Sequence, residues 1–224
     1  MFSYQKKCKK EMIFFMAFEE YLSNGVHIGM KQQAKDMMRF IYKVRPDGLA
    51  VMDVQLIDEK ISIAAKFLSK FKKIIAVSRK PIAHKAVVKF AEAIGGKAFY
   101  GRFLPGTITN PDFPGYYEPD VVIVTDPYAD SQAITEAVKM RIPIIAFCDT
   151  FNVTSNIDFV IPCNNKGKRS IAFLYWMLAK KMLEGRGEEI KSEAKDFVYD
   201  VKIKRAPARR EGSGGRFGRR QMRR

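Results

Sequence analysis

Between about residues 49 and 184, short and continuously apolar runs alternate with segments whose apolar residues recur every three or four positions. The runs are Leu49–Asp53, Ile74–Ser78, Ala98–Tyr100, Val121–Thr125, Ile144–Cys148 and Phe159–Ile161. Several are apolar at every position, as strands covered on both faces must be. Between them, Ile57, Ile61, Ala64, Ala65 and Leu68 keep helical spacing, as do Ala83, Ala86, Val87, Phe90 and Ile94. Pro81 is suited to open the second of these helices and Gly95 to close it. A third helix is predicted from about Asp130 to Met140 and a fourth from about Lys168 to Glu184. Strands alternating with helices define an α/β chain with a doubly wound, mainly parallel sheet flanked by helices. In the fourth helix, the stretch 171–178 is apolar on nearly every side, so it is buried in the domain or covers a partner surface.

Ligands of doubly wound sheets sit beyond the carboxyl ends of the strands. Here those loops hold Asp53, Ser78-Arg79-Lys80, Thr125-Asp126, and Asp149-Thr150 with Asn152. The favoured reading is that these Asp, Ser and Thr residues are helix caps and turn formers. The alternative is a small-ligand enzyme or sensor that uses Asp53, Thr125, Asp126 and Asp149 for a phosphorylated molecule. No Gly-x-Gly-x-x-Gly follows a strand, which leaves a dinucleotide site unsupported. The run Asn164-Asn165-Lys166-Gly167-Lys168-Arg169-Ser170 is only superficially similar to a phosphate loop, since it lacks the leading glycine and Arg169 interrupts its end.

Charge changes the picture. The 224 residues carry 40 Lys+Arg against 24 Asp+Glu, a formal +16. Lys202 to Arg224 holds ten basic residues, Arg205, Arg209, Arg210, Arg216, Arg219 and Arg220 among them, and one acid, so +9 of the +16 lies there. With Gly212-Ser213-Gly214-Gly215 and few core-formers, 202–224 is expected to be a disordered Arg/Gly-rich arm that orders on a polyanion. Three cations, Lys166, Lys168 and Arg169, crowd the start of the fourth helix, where the macrodipole disfavours positive charge. An external anion resolves that conflict, which makes 164–169 a candidate phosphate-backbone dock, with a solvated basic turn as the alternative.

The least regular stretch is Gly101 to Pro119, with four prolines and no strand or helix period. Loops of that length in compact domains are functional or disordered. Arg102, Phe103, Phe113, Tyr116 and Tyr117 argue against disorder; the rings suit base stacking, a protein neighbour, or packing on the domain itself.

Cys8, Cys148 and Cys163 are an odd number without a CxxC, so no disulfide framework or thiolate zinc site is indicated and a reducing cytosol fits. His27 and His84 lack convergent partners; His27, in Gly25-Val26-His27-Ile28-Gly29, is read as structural, bonding backbone across a glycine turn. No catalytic triad or paired-carboxylate motif stands out. Residues 1–17 join Lys6, Lys7, Lys9 and Lys10 to a short apolar run without a cleavage site, a basic and partly ordered leader with membrane-surface binding as the alternative. No stretch approaches the ~20 apolar residues of a membrane span.

Taken one after another, these segments resemble the universal small-subunit ribosomal protein two family, whose eukaryotic members are also known as laminin-receptor precursors. The strings are Gly25-Val26-His27-Ile28-Gly29, Val44-Arg45-Pro46-Asp47-Gly48-Leu49, and Gly101-Arg102-Phe103-Leu104-Pro105-Gly106-Thr107-Ile108-Thr109-Asn110-Pro111. Further ones are Glu118-Pro119-Asp120 through Thr125-Asp126-Pro127, Glu136-Ala137, Ile142-Pro143, Cys148-Asp149-Thr150, and Ile161-Pro162 through Ser170. The resemblance covers about residues 18–186 and is nearest the archaeal and eukaryotic branch, because the chain has no room for the early helical hairpin of bacterial members. Asn24 stands where a small residue usually precedes the Gly-Val-His turn, and Arg141 where glycine usually precedes Ile-Pro.

The resemblance implies a three-layer α/β/α sandwich of flavodoxin-like type that is a cytoplasmic, structural component of the small ribosomal subunit and binds rRNA and neighbouring ribosomal proteins, without catalysis, cofactor, metal or small-molecule substrate. By position it marks Arg102, Phe103, Thr107 and Asn110, with Asn164, Asn165, Lys166, Lys168 and Arg169, as rRNA or neighbour contacts. The implied organisation is a leader over 1–17, an rRNA-binding α/β domain over 18–186, a linker over 187–201 and the basic arm over 202–224.

Overall fold

The computed structural model describes residues 18–188, 190 and 192–198; the leader, the basic arm with Arg205, Arg209, Arg210, Arg216, Arg219 and Arg220, and part of the 187–201 segment lie outside them. Five strands form one parallel sheet: β3 (Ile74–Ser78), β4 (Lys97–Tyr100), β5 (Val121–Val124), β6 (Ile144–Cys148) and β7 (Phe159–Pro162). Their spatial order is β4-β3-β5-β6-β7, with every neighbouring pair parallel. Counting only these five, the order is 2-1-3-4-5, the flavodoxin-like winding, with its switch point between β3 and β5.

Among the described residues the sheet is covered by α1 (Val54–Leu68), α2 (His84–Ile94), α3 (Ser131–Lys139) and α4 (Lys168–Arg186). Successive strand residues face opposite layers, so each strand feeds two cores. Ile74, Ala76, Val121, Ile123, Ile145 and Phe147 pack with α1, α2 and α4, while Ile75, Val77, Val122, Val124, Ile144 and Ala146 pack with α3 and the 3-10 turn Lys35–Phe40. The all-round apolar stretch of α4 is buried within the domain itself. Tyr175 at its centre sits edge-on to Phe90 and Phe147, and its hydroxyl lies 2.7 Å from Thr125 Oγ1.

One element differs from the sequence expectation. The apolar run at Leu49–Asp53 does not join the parallel sheet; its central residues form β2 (Ala50–Met52), antiparallel to β1 (Ile41–Val44) in a separate two-stranded ribbon. Leu49 and Asp53 flank that strand, and Asp53 caps α1 by accepting from the Gln55 amide at 2.9 Å.

The Gly25-Val26-His27-Ile28-Gly29 turn ties residues 18–34 to the strand ends. Gly25 adopts φ +66°, a left-handed conformation that costs other residues about 1–2 kcal/mol. The His27 carbonyl accepts from the Met52 amide at 2.8 Å, and its imidazole, whose pKa burial lowers, bonds the backbone at Tyr21. At Gly29 the constraint is space. A Cβ there would lie 2.4 Å from Thr150 Cγ2 and 3.1 Å from the Ala50 carbonyl oxygen, because Thr150 holds residues 30–34 through its hydroxyl and carbonyl. Gly29→Ala is therefore expected to destabilise the fold by about 2–3 kcal/mol, lowering the thermal midpoint by roughly 5–10 °C for a chain of this size. A midpoint within about 1 °C of wild type would contradict that packing.

Arg141 stands at φ +56° in the turn before β6, a non-glycine residue in left-handed conformation. At the far end of the domain, Phe197 in the 3-10 turn Ala194–Phe197 is buried and the Trp176 indole N–H donates to the Ser192 carbonyl at 3.0 Å. The described part of 187–201 thus packs on the body.

Candidate nucleic-acid interface

At the switch point the four loops that follow β3, β5, β6 and β7 each contribute one polar side chain to a closed ring. Lys80 Nζ pairs with Asp126 Oδ2 at 2.6 Å and donates to the Asn165 carbonyl at 2.8 Å and Oδ1 at 3.1 Å. Asn165 Nδ2 donates to Asn152 Oδ1 (3.0 Å) and to the Phe147 carbonyl (3.1 Å), and Asn152 Nδ2 donates to Asp126 Oδ1 (3.0 Å). Asp126, Asn152 and Asn165 are all buried. A buried polar group without a partner costs several kcal/mol, and this ring leaves none of the four unpaired. The crevice that would take a ligand in other proteins of this topology is filled by the chain's own groups. Asp149 belongs to the same layer: its carboxylate accepts from the Thr150 amide at 2.7 Å, and burial raises its pKa.

Beside the ring, Asp130 accepts from the Arg79 amide at 2.6 Å and the Asp126 amide at 3.3 Å. Burial outweighs these bonds and pushes its carboxyl up to about 7. An unfolded Asp titrates near 3.9, so between about pH 4 and 7 the folded chain binds the extra proton and stability falls as pH rises. The whole effect is about 4 kcal/mol. Asp130→Asn is expected to flatten this descent, read from urea midpoints across that window. Parallel profiles for the variant and wild type would exclude Asp130 as its source.

The 164–169 segment splits. Asn165 is fully buried in the ring, whereas Lys166, Lys168 and Arg169 are exposed. Asn164 folds the turn by accepting from the Lys166 and Gly167 amides at 3.0 and 3.1 Å, and its Nδ2 donates to the Gly25 carbonyl at 3.1 Å. The first turn of α4 carries no acidic residue and no side-chain cap, and none of the three cations forms an ion pair among the described residues. Lys166 Nζ lies 4.2 Å from the centre of the Phe151 ring. These are free N–H groups, the positive end of a 19-residue helix and three solvent-facing cations in one place.

The 101–119 loop is folded around Glu136, a buried carboxylate on α3. Glu136 Oε1 accepts from the Gly106 amide (2.9 Å) and Gln132 Nε2 (2.9 Å), and Oε2 accepts from the Ile108 amide (3.2 Å) and Thr109 Oγ1 (3.5 Å). Phe103 is 8% exposed, stacked edge-on with Phe99, and Thr107 is 2% exposed with its hydroxyl donating to the Leu104 carbonyl at 2.7 Å. Of the three readings of the loop's rings, Phe103 takes the packed one. Arg102 and Asn110 remain on the surface. Phe103, Thr107 and Asn165 thus shape the surface that Arg102, Asn110, Lys166, Lys168 and Arg169 present. The sequence carried no sign of Glu136 as anchor beyond its helical position, since its partners lie about 30 residues away.

Burial raises the Cys148 and Cys163 thiols above their ordinary range, which makes them inert core groups. Among the described residues no three His, Cys, Asp or Glu side chains converge as metal ligands, and no helix is long and apolar enough to cross a membrane.

The domain is thus a flavodoxin-like α/β/α sandwich whose strand-end ring is closed by its own side chains, with an unpaired cationic helix start beside it. The chain matches the family model of ribosomal protein S2 over residues 21–113 and 116–185. It is 48% identical over 194 residues to the small ribosomal subunit protein uS2 of Haloquadratum walsbyi, spanning 86% of this chain and 70% of that protein. It is 50% identical over 183 residues to small ribosomal subunit protein uS2 of Ignicoccus hospitalis, spanning 80% and 86% respectively. The chain belongs to the ribosomal protein S2 family, in its archaeal-type branch. That family is one of ribosomal proteins and not of enzymes, which sets aside the enzyme alternative for the strand-end carboxylates.

Proposed function

We propose that this chain is a structural constituent of the small ribosomal subunit, binding small-subunit rRNA and neighbouring ribosomal proteins in the cytoplasm, and that subunit assembly and translation depend on it. The observation that carries the reading is the exposed Lys166, Lys168 and Arg169 group at the acid-free start of α4. A helix start held at that electrostatic disadvantage becomes favourable when a phosphate backbone arrives. Arg102 and Asn110 of the Glu136-anchored loop, Asn164 in the turn before α4, and Arg205, Arg209, Arg210, Arg216, Arg219 and Arg220 of the arm are the further contacts we assign.

The test is filter binding of the purified full chain to a small-subunit rRNA transcript. The triple variant Lys166→Glu, Lys168→Glu, Arg169→Glu is expected to weaken binding on the order of a hundredfold and to flatten the dependence of log affinity on log salt by about 2. Equal affinity and slope for variant and wild type would remove the helix start from the interface.

A further inference from the structure

Beyond the loops that follow β3, β5 and β6 lies an open cleft of about 610 Å³ that the contacts assigned above do not use. Its walls include Tyr128 in the turn after β5, Phe151 and Val153 after β6, Ser131 and Thr135 on α3, and Arg79 after β3. Arg79 is the one charged residue among its lining, and no carboxylate faces it. A second hollow of about 300 Å³ shares Arg79 and Ser131, has the buried Asp130 in its lining, and extends the surface to Arg102. Tyr128 is 83% exposed, beside a cation and exposed polar groups (Ser155 and Asn156).

This is the chemistry of a nucleotide: an aromatic face for a base, a guanidinium for its phosphate, and small polar groups for base edges. The volume lies within the roughly 300–1,000 Å³ of sites that take one small molecule, too little for a duplex. The cleft is also continuous with the cationic helix start, because Phe151, part of its wall, carries Lys166 Nζ over its ring at 4.2 Å. A backbone docked at 166–169 therefore passes the cleft on its way to Arg79 and Arg102. We infer that the cleft receives an unpaired base of the bound RNA, stacked on Tyr128, with Arg79 pairing the adjacent phosphate. The inference rests on the rRNA-binding reading above and adds to it a preference for single-stranded segments.

The test uses the full chain and fluorescence anisotropy of a fluorescein-labelled, non-self-pairing single-stranded RNA of about 12 nucleotides, within the ~4–16 that stacking sites span, and of the same strand annealed to its complement. Tyr128→Ala is expected to weaken single-strand binding roughly tenfold with an unchanged salt slope, and to leave duplex binding within about twofold. Tyr128→Phe keeps wild-type affinity, because the ring and not the hydroxyl makes the stack, and millimolar AMP does not displace the probe. The inference is overturned if Tyr128→Ala binds the single strand as wild type does, if it loses both probes equally, if Tyr128→Phe fails to rescue, or if AMP competes. Unaltered single-strand binding by Tyr128→Ala, together with failure to enter small subunits, would assign the face to a protein neighbour instead. A triple charge variant that loses both probes while Tyr128→Ala loses neither leaves the rRNA reading standing and removes this one. A wild-type chain that binds neither probe removes both.

Discussion

Removing residues 202–224 is expected to lower affinity for small-subunit rRNA by on the order of a thousandfold at about 0.1 M salt, with the fold unchanged. The arm holds ten of the 40 basic residues and one acid. If arm and helix start together neutralise ~6–8 phosphates, log affinity falls with log salt at a slope of about −4 to −7, and the larger share belongs to the arm. Its loss flattens the slope by about 3, leaving a remainder that the Lys166, Lys168, Arg169 triple variant then reduces further. The truncation and the triple substitution act on separate phosphates, so their effects are expected to add. Titrations at several salt concentrations check this, and a truncated chain with the full slope would show that the arm touches no phosphate.

Asp126→Ala is the substitution expected to damage the fold most. It strands the Lys80 ammonium, whose side chain is only 18% exposed, and leaves Asn152 Nδ2 without its acceptor. Breaking one partner of such a buried pair costs about 3–5 kcal/mol, or roughly 10–15 °C in thermal midpoint for this size of domain. Asp53→Ala, which removes only a helix cap at the surface, is expected to cost about 1 kcal/mol. Replacing both Lys80 and Asp126 by apolar residues of similar volume recovers part of the loss, since the uncompensated charge is gone. Circular dichroism melts of the three variants beside wild type decide the point; Asp126→Ala within about 1 kcal/mol of wild type would mean that the ring does not hold the strand ends together.

The parallel sheet was legible because β5 and β6 are apolar at every position, and β3 at every position before Ser78, and nothing but burial on both faces explains that. β1 was not, since Ile41-Tyr42-Lys43-Val44 has three of its four residues exposed and shows no period. The run at Leu49–Asp53 was legible as a strand but not in its pairing, because a sheet partner is a long-range fact that a three-residue strand does not encode locally. The same distinction runs through the site. Helix capping by Asp53 is local and could be read; the ring of Lys80, Asp126, Asn152 and Asn165 joins residues up to 85 positions apart and could not. Asn165 shows the consequence. Three of the four residues that follow it are cations facing water, and only the fold reveals that its own side chain turns inward. The cationic helix start was visible because the conflict between Lys166, Lys168, Arg169 and the helix dipole is itself local.

The most direct test of the central claim is sucrose-gradient sedimentation of extract from cells that express the tagged full chain. A small-subunit constituent co-sediments with small subunits and with complete ribosomes at moderate salt, and leaves them only as salt is raised. A chain that stays at the top of the gradient at moderate salt would contradict the account.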